Sequence, residues 1–261
     1  MRSAGVIRAE YTDEGLADCQ AQYDALRADG FAVEHYDGDQ GRGIVMPSDG
    51  SFDPVARAIT FANEAVAQGC RFFEHSPALS IRSGEVVTPR GTIKATHIVV
   101  ATDGSVMRLL PEAALEVRPV RLQMVATAPS VAHIERPVYA RWGYDYWQQR
   151  PDGSVLIGGG RDVLRDDEET DQQVSTAQAR NYLISLLNDL AVYEPITHAW
   201  AGIVGYSASG QPWVSQPREG VYGIGGYCGT GNVVGTLLGR SLIELFVEGD
   251  SQTLQDFGYL D

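Results

Sequence analysis

The run GIGGYCGTGNVVGTLLGR at residues 223–240 places Gly225, Gly226, Gly229 and Gly231 between a short apolar stretch and a helical pattern. A helix N-terminus offers unpaired N–H groups and a partial positive charge, which suit a phosphate or an anionic ring edge. Glycines there remove Cβ atoms and let a ligand touch the backbone. Gly231, Gly235 and Gly239 are four apart, so they make one smooth stripe on the helix. Each helical glycine costs about 1 kcal/mol relative to alanine, which points to close packing against something. Tight helix–sheet contact alone is the competing explanation. A Rossmann nucleotide turn does not fit, because its fingerprint needs a second strand and then an acidic residue roughly 20 positions on. Only about one helix follows here, so the loop reads as closing on a cofactor whose main nucleotide cradle lies elsewhere.

Other reactive side chains are sparse. Lys94 is the only lysine, which excludes most lysine-based mechanisms. His35, His75, His97, His133 and His198 are scattered, and Cys19, Cys70 and Cys228 share no metal-type spacing, so no metal site is expected. An odd cysteine count without CxxC fits a reducing compartment. The acidic run RDDEETD reads as a solvated loop or helix start. The 261 residues carry a net charge of −14, which argues against nucleic acid or an anionic membrane surface as partner. No apolar run approaches the roughly 18 residues of a membrane span, and the first residues show no apolar signal core. A cytoplasmic protein is the expectation.

The elements that must position the loop follow from periodicity. Residues 12–30 read as a helix with Leu16, Cys19, Tyr23 and Leu26 on one face and Gly30 as its stop. Asp53 and Pro54 suit the start of a second helix, with Val55, Ile59, Ala62 and Val66 as its buried stripe and Gly69 as its end. From residue 70 the period becomes two: a strand, a hairpin turning at SGE, then the buried strand HIVVAT. VRPVRLQMVATAP and PVYARWGYDYWQQRPDGSVLIGGGRD, with its PDG turn, predict a larger antiparallel sheet. TAQARNYLISLLNDL is a helix with Tyr182, Leu183, Leu186, Leu187 and Leu190 on its apolar side. GVYGIGG is a last strand and the segment after it a last helix. Strands and helices mix without regular βα alternation, so the expected class is α+β with a mixed sheet.

HIVVATDGSVMRLLP, VRPVRLQMVATAP, QRPDGSVLIGGGRD and GYSASGQPWVSQPREGVYGIGGYCGTGNVVGTLLGRSLIEL occur in the order found in the D-amino-acid-oxidase-like family of FAD-dependent oxidoreductases. Nearly the whole chain resembles this family, which includes glycine, sarcosine and γ-glutamylputrescine oxidases. The resemblance implies a truncated FAD/NAD(P)-binding-type domain (residues 1–4, 50–105 and 201–261) interleaved with an antiparallel-sheet substrate domain (residues 5–49 and 106–200). Family members open with a strand, a GxGxxG turn and a helix. MRSAGVIRA resembles the segment just downstream, so a βαβ unit of roughly 40 residues is expected to be missing. The resemblance implies non-covalent FAD and oxidation of an amine or amino acid at its C–N bond, by hydride transfer to the flavin. The alternative is a non-catalytic fragment, or a subunit whose nucleotide-binding segment comes from a partner chain.

The resemblance also implies site residues. Arg2 and Ser3 match the turn near the pyrophosphate and ribose, Ala78 a backbone contact to adenine, and Ala101, Thr102 and Gly104 the second dinucleotide turn. Gly226, Tyr227, Cys228, Gly229, Thr230 and Gly231 match the loop beside the isoalloxazine, with Cys228 a small filler. Tyr206 resembles a position facing the flavin, with strand-end packing as its other reading. For the substrate, arginine grips a carboxylate bidentately. Arg141 and Arg161 are the candidates, an ion pair of Arg161 with Asp162 being the competing role. Tyr144, Tyr146 and Trp147 divide between substrate contact and core. No acid–base residue is assigned. Lys94 falls in the outer hairpin, so oxygen activation by a lysine near the flavin is not expected.

Overall fold

The computed structural model describes residues 4–259, so Arg2 and Ser3 lie outside the described residues. Strand β1 (Val6–Glu10) leads to Thr12, whose hydroxyl accepts from the Gly15 N–H at 3.1 Å and starts α1 (Asp13–Ala28). Strands β2 (Glu34–Gly38) and β3 (Gly41–Met46) pair as a hairpin. Asp53 Oδ1 accepts from the N–H groups of Val55 and Ala56, and Pro54 opens α2 (Pro54–Ala67). A meander of β4 (Ser80–Arg82), β5 (Glu85–Thr88) and β6 (Gly91–Lys94) precedes β7 (Ile98–Val100). Two short 3₁₀ turns lead into the long β8 (Val117–Pro129). Then come β9 (Val138–Ala140), β10 (Asp145–Gln149) and β11 (Ser154–Gly159), the last two closed by the RPDG turn. Helices α3 (Arg165–Glu168) and α4 (Ala177–Asp189) follow. The chain then forms β12 (Ile196–Ser207), β13 (Trp213–Arg218), β14 (Val221–Gly225), α5 (Gly231–Glu248) and α6 (Gln252–Asp256).

The chain folds into two units. The first takes the residues up to Thr60, with Leu122–Glu168 and Gln173–Gly202. Its eight-stranded sheet runs in the order β12-β8-β11-β10-β9-β1-β3-β2, antiparallel at every pairing described except the parallel pair β1 and β9. Alternation sends Ile7, Ala9, Val138, Trp147 and Ile157 to one face, where Leu183 and Leu187 of α4 complete the core. Burying each such leucine contributes about 1.5–3 kcal/mol. The second unit takes Phe61–Arg121, Glu169–Gln172 and the residues from Ile203 on. It holds the sheet β13-β14-β7, with β14 parallel to β7, and the separate β4-β5-β6 sheet. Ile224 and Tyr227 pack there against Leu238 and Leu242 of α5.

Three expectations are corrected. Helix α2 forms, but its stripe is not buried: Val55, Ile59 and Val66 are 65, 55 and 53 % exposed. Periodicity marks an apolar face without supplying the element that covers it, and the described residues bury none of this face. Residues 70–79 form no strand; Phe72 and Phe73 are exposed, and the segment meets β5 only at its end, where the Leu79 N–H donates to the Val87 carbonyl at 2.8 Å. The acidic run opens as the expected helix start, α3, but its solvation is corrected: Glu168 is buried and accepts from Gln123 Nε2 at 2.6 Å. Exposure of α2 makes an expected outcome simple. Ile59→Glu with Val66→Glu lowers light scattering at high protein concentration and leaves the melting temperature unchanged, since no packing is lost. A melting point lowered by several degrees would show that the face is packed.

Candidate functional site

In the second unit, a residue not assigned from the sequence, Asp103, links the turn after β7 to the glycine loop. Asp103 sits at φ +44 between Thr102 and Gly104. Its Oδ2 accepts from the Gly205 N–H at 2.9 Å and its Oδ1 from the Tyr227 N–H at 3.3 Å. The carboxylate thus ties the turn after β7 to the end of β12 and to the glycine loop. Gly104 is buried, and a Cβ there would lie 2.8 Å from the Val204 carbonyl carbon. Ala101 and Thr102 are exposed beside it, and Ala78 is half-buried just before β4. The signal available in the sequence was an Asp-Gly pair directly after a buried strand, a common setting for carboxylate-to-backbone bonds.

The glycine loop itself is tightly built. Cys228 stands at φ +52 and donates its N–H to the Gly205 carbonyl at 2.9 Å. Its Sγ lies 3.3 Å from the Gly226 carbonyl oxygen and 3.6 Å from Ser207 Oγ. Gly229 has φ +90, and among the described residues a Cβ there would meet only the Tyr206 hydroxyl, 3.6 Å away. Tyr206 bridges Tyr227 in a single antiparallel pair. The glycine stripe has an internal partner: a Cβ at Gly231 or Gly235 would lie 2.9 or 3.3 Å from the Tyr227 ring. At Gly239 nothing among the described residues comes within 4 Å, so the third glycine carries no such contact. Burial, and then the Asp103 charge, raise the Tyr227 hydroxyl above its ordinary pKa. Thr230 turns its hydroxyl to the Tyr227 carbonyl at 2.7 Å and makes no cap bond, so the first N–H groups of α5 have no side-chain cap from it.

In the first unit, the predicted substrate contacts separate. Arg141 and Trp142 lie in a left-handed turn at φ +50 and +54, each such residue costing about 1–2 kcal/mol. Glu10 Oε1 accepts the Trp142 N–H at 2.8 Å and holds that turn. Arg141 donates from Nε to Asp145 at 2.6 Å and from a terminal nitrogen to Asp162 at 2.8 Å. Burial opposes its charge, but these two carboxylates outweigh burial and raise its pKa. Asp145 is 2 % exposed and also accepts from the Tyr182 hydroxyl and the Gly160 N–H at 3.0 Å. The Arg161 guanidinium lies 4.3 Å from the Tyr144 ring centre, with Arg141 at 5.9 Å. Arg141, Tyr144 and Arg161 therefore form one group. Tyr146 does not join it. Strand alternation sends Asp145 and Trp147 toward α4 and Tyr146 to the other face, beside Tyr139, Gly158 and Met124. A Cβ at Gly158 would lie 2.5 Å from the Tyr146 ring, which lies across it. Asp145 and Tyr182, unassigned from the sequence, are the centre of the arginine group.

The profile of the family described as FAD-dependent oxidoreductase (DAO) matches residues 1–245. A Rhizobium meliloti (strain 1021) protein named "Probable oxidoreductase OrdL" is 32 % identical over 213 residues, which cover 78 % of this chain and 49 % of that protein. The chain thus spans about half the length of this curated relative. L-proline dehydrogenase from P. horikoshii superposes with a TM-score of 0.81 at 19 % identity, over 96 % of this chain and 74 % of that one. Glycine oxidase from Geobacillus kaustophilus gives 0.80 at 21 %, over 96 % and 72 %. At these identities the structures establish the fold. Among the described residues no helix is long and apolar enough to cross a membrane. FAD is the cofactor of this family. In the glycine loop Gly226, Cys228 and Gly229 take left-handed backbone, and Thr230 puts no side-chain cap on the first N–H groups of α5, donors of the kind that suit an anionic ring edge. With the profile matching over most of its length, the chain belongs to the DAO family of FAD-dependent oxidoreductases.

Proposed function

We propose that this protein is an FAD-dependent oxidoreductase acting on the C–N bond of an amine or amino acid. The observation that carries this reading is the loop Gly226–Gly231, braced by Asp103 and ending at the uncapped start of α5. Names among the structural relatives, a proline dehydrogenase and a glycine oxidase, support the substrate class. Bound FAD supplies a two-electron acceptor for a C–H bond next to nitrogen. In this reading the unit with the glycine loop is the cofactor side and the unit with the eight-stranded sheet the substrate side. The first N–H groups of α5 would stabilise negative charge on the ring, as donors fixed in advance. Ala101, Thr102, Gly104 and Ala78 would line the rest of the cofactor.

Tyr146 and Tyr206 are the side chains this reading assigns to the substrate. Tyr146 has Met124 and Leu156 among its neighbours, and an apolar wall there would disfavour the ammonium form, leaving the neutral amine that can react. Arg141 already carries two carboxylates, so its role in this reading is to frame the Tyr144–Arg161 group.

The test is flavin content after incubation with FAD, read by visible absorbance and by fluorescence after denaturation, followed by turnover of amines and of D- and L-amino acids with an artificial acceptor. The expected result is bound flavin and reduction by at least one of these classes. Gly229→Val places a branched side chain at φ +90 beside Tyr206 and is expected to weaken FAD binding about tenfold or more with the circular dichroism unchanged. A wild-type protein that takes up no flavin would overturn the reading.

A further inference from the structure

The covered side of the large sheet carries a cavity that the flavin reading does not use. It measures about 680 Å³ and lies in the first unit, between the β2–β3 turn, the start of β10 and the end of α4. Its rings are Tyr11, Trp147 and Tyr182, and Leu186 adds an aliphatic wall. Gln40 pins the rim, accepting from Trp147 Nε1 at 2.8 Å through its side chain and from the Tyr11 hydroxyl at 3.2 Å through its carbonyl. Tyr146, on the opposite face of β10, does not reach this space.

The charge of the cavity is one-sided. Asp39, Asp145 and Asp189 line it against a single guanidinium, Arg141, which is itself paired with Asp145 and Asp162. Among the described residues the carboxylates of Asp39 and Asp189 form no ion pair. Asp189 is also the last residue of α4, and that helix has no basic residue in its last turn. A carboxylate at a helix C-terminus faces the negative end of the backbone dipole, which is unfavourable unless a cation sits there. Tyr11 reports the same field: burial first, then Asp145 and Glu10, hold its hydroxyl above the ordinary tyrosine pKa, with Asp189 adding to them.

We propose that this cavity binds an organic ammonium ion with an apolar or aromatic body. The ammonium would lie between Asp189 and Asp39 at the end of α4, over the faces of Tyr11 and Trp147. Carboxylates together with aromatic faces are the chemistry that recognises such cations. The body would rest on Leu186.

The probe is benzyltrimethylammonium, titrated by calorimetry into the purified chain, with benzyl alcohol and phenylacetate as neutral and anionic counterparts. Saturable binding of the cation alone is expected. The double variant Asp39→Asn, Asp189→Asn should weaken it about fivefold or more, while Asp152→Asn, an exposed carboxylate outside the cavity, should leave it unchanged. Both variants keep exposed polar side chains, and circular dichroism checks their fold. No saturable binding up to about 10 mM would overturn the proposal. So would equal binding of benzyl alcohol, or a double variant that binds as tightly as the wild type.

Discussion

Asp145→Ala is expected to lower the stability of the first unit by about 3 kcal/mol, measured by urea denaturation followed through tryptophan fluorescence. The carboxylate is 2 % exposed and serves Arg141, Tyr182 and the Gly160 N–H together. Removing one member of a buried pair leaves a charge without compensation, at a cost of roughly 3–5 kcal/mol. Arg141 keeps Asp162 and is about a third exposed, so the low end applies. The left-handed turn at 141–142 also loses an anchor, and its strain favours relaxation. Asp145→Asn keeps an acceptor but not the charge, and about half the loss is expected. The same site sets an alkaline limit. Burial, and then the Asp145 charge, raise the Tyr182 pKa above the ordinary tyrosine value of about 10. Above that pH the unfolded chain gives up a proton that the folded chain keeps. Stability from this group is therefore full below about pH 10 and is lost as pH rises further. Tyr182→Phe should flatten the fall of the melting temperature between about pH 9 and 11. An unchanged urea midpoint in Asp145→Ala would show that solvent reaches Arg141 well enough to replace the carboxylate.

Local chemistry made much of this architecture readable. Helix α4 follows from the Thr176 cap and the spacing of Leu183 and Leu187, and the β10–β11 hairpin from PDG between alternating runs. The same alternation divides Asp145, Tyr146 and Trp147 between faces. It fails at Arg141, because a left-handed turn has no strand parity to count from. The stripe of α2 shows the second limit: an amphipathic pattern says which side is apolar, while burial depends on what arrives from elsewhere in the chain. The glycine spacing reads equally as a backbone site or as close packing, and two glycines of the helical stripe, Gly231 and Gly235, seat the Tyr227 ring, so internal packing accounts for part of the motif. Asp103 was legible only as half of an Asp-Gly turn signal; its partners lie 102 and 124 residues further along and leave no local trace.

That long reach is why Asp103 should show the largest effect on the cofactor side. Its two bonds are charge-assisted, and one is close to ideal length, so losing both costs about 2–3 kcal/mol. Asp103→Ala adds the strain of alanine at φ +44, bringing the expected loss to about 3–4 kcal/mol. Asp103→Gly removes that strain and isolates the bonds; Asp103→Asn tolerates the left-handed backbone and keeps one acceptor. The expected order of stability is wild type, Asn, Gly, Ala. Flavin affinity should follow a different logic. Glycine and alanine both release the Tyr227 N–H and the Gly205 N–H, so both should weaken FAD binding about tenfold or more, whatever their difference in melting temperature. Asparagine should retain most of the binding. Thermal unfolding and FAD titration of the three variants separate the two effects. If Asp103→Gly binds flavin as the wild type does, the carboxylate only relieves backbone strain, and the loop is positioned by the Cys228 bond to Gly205 and the Tyr227 ring against α5.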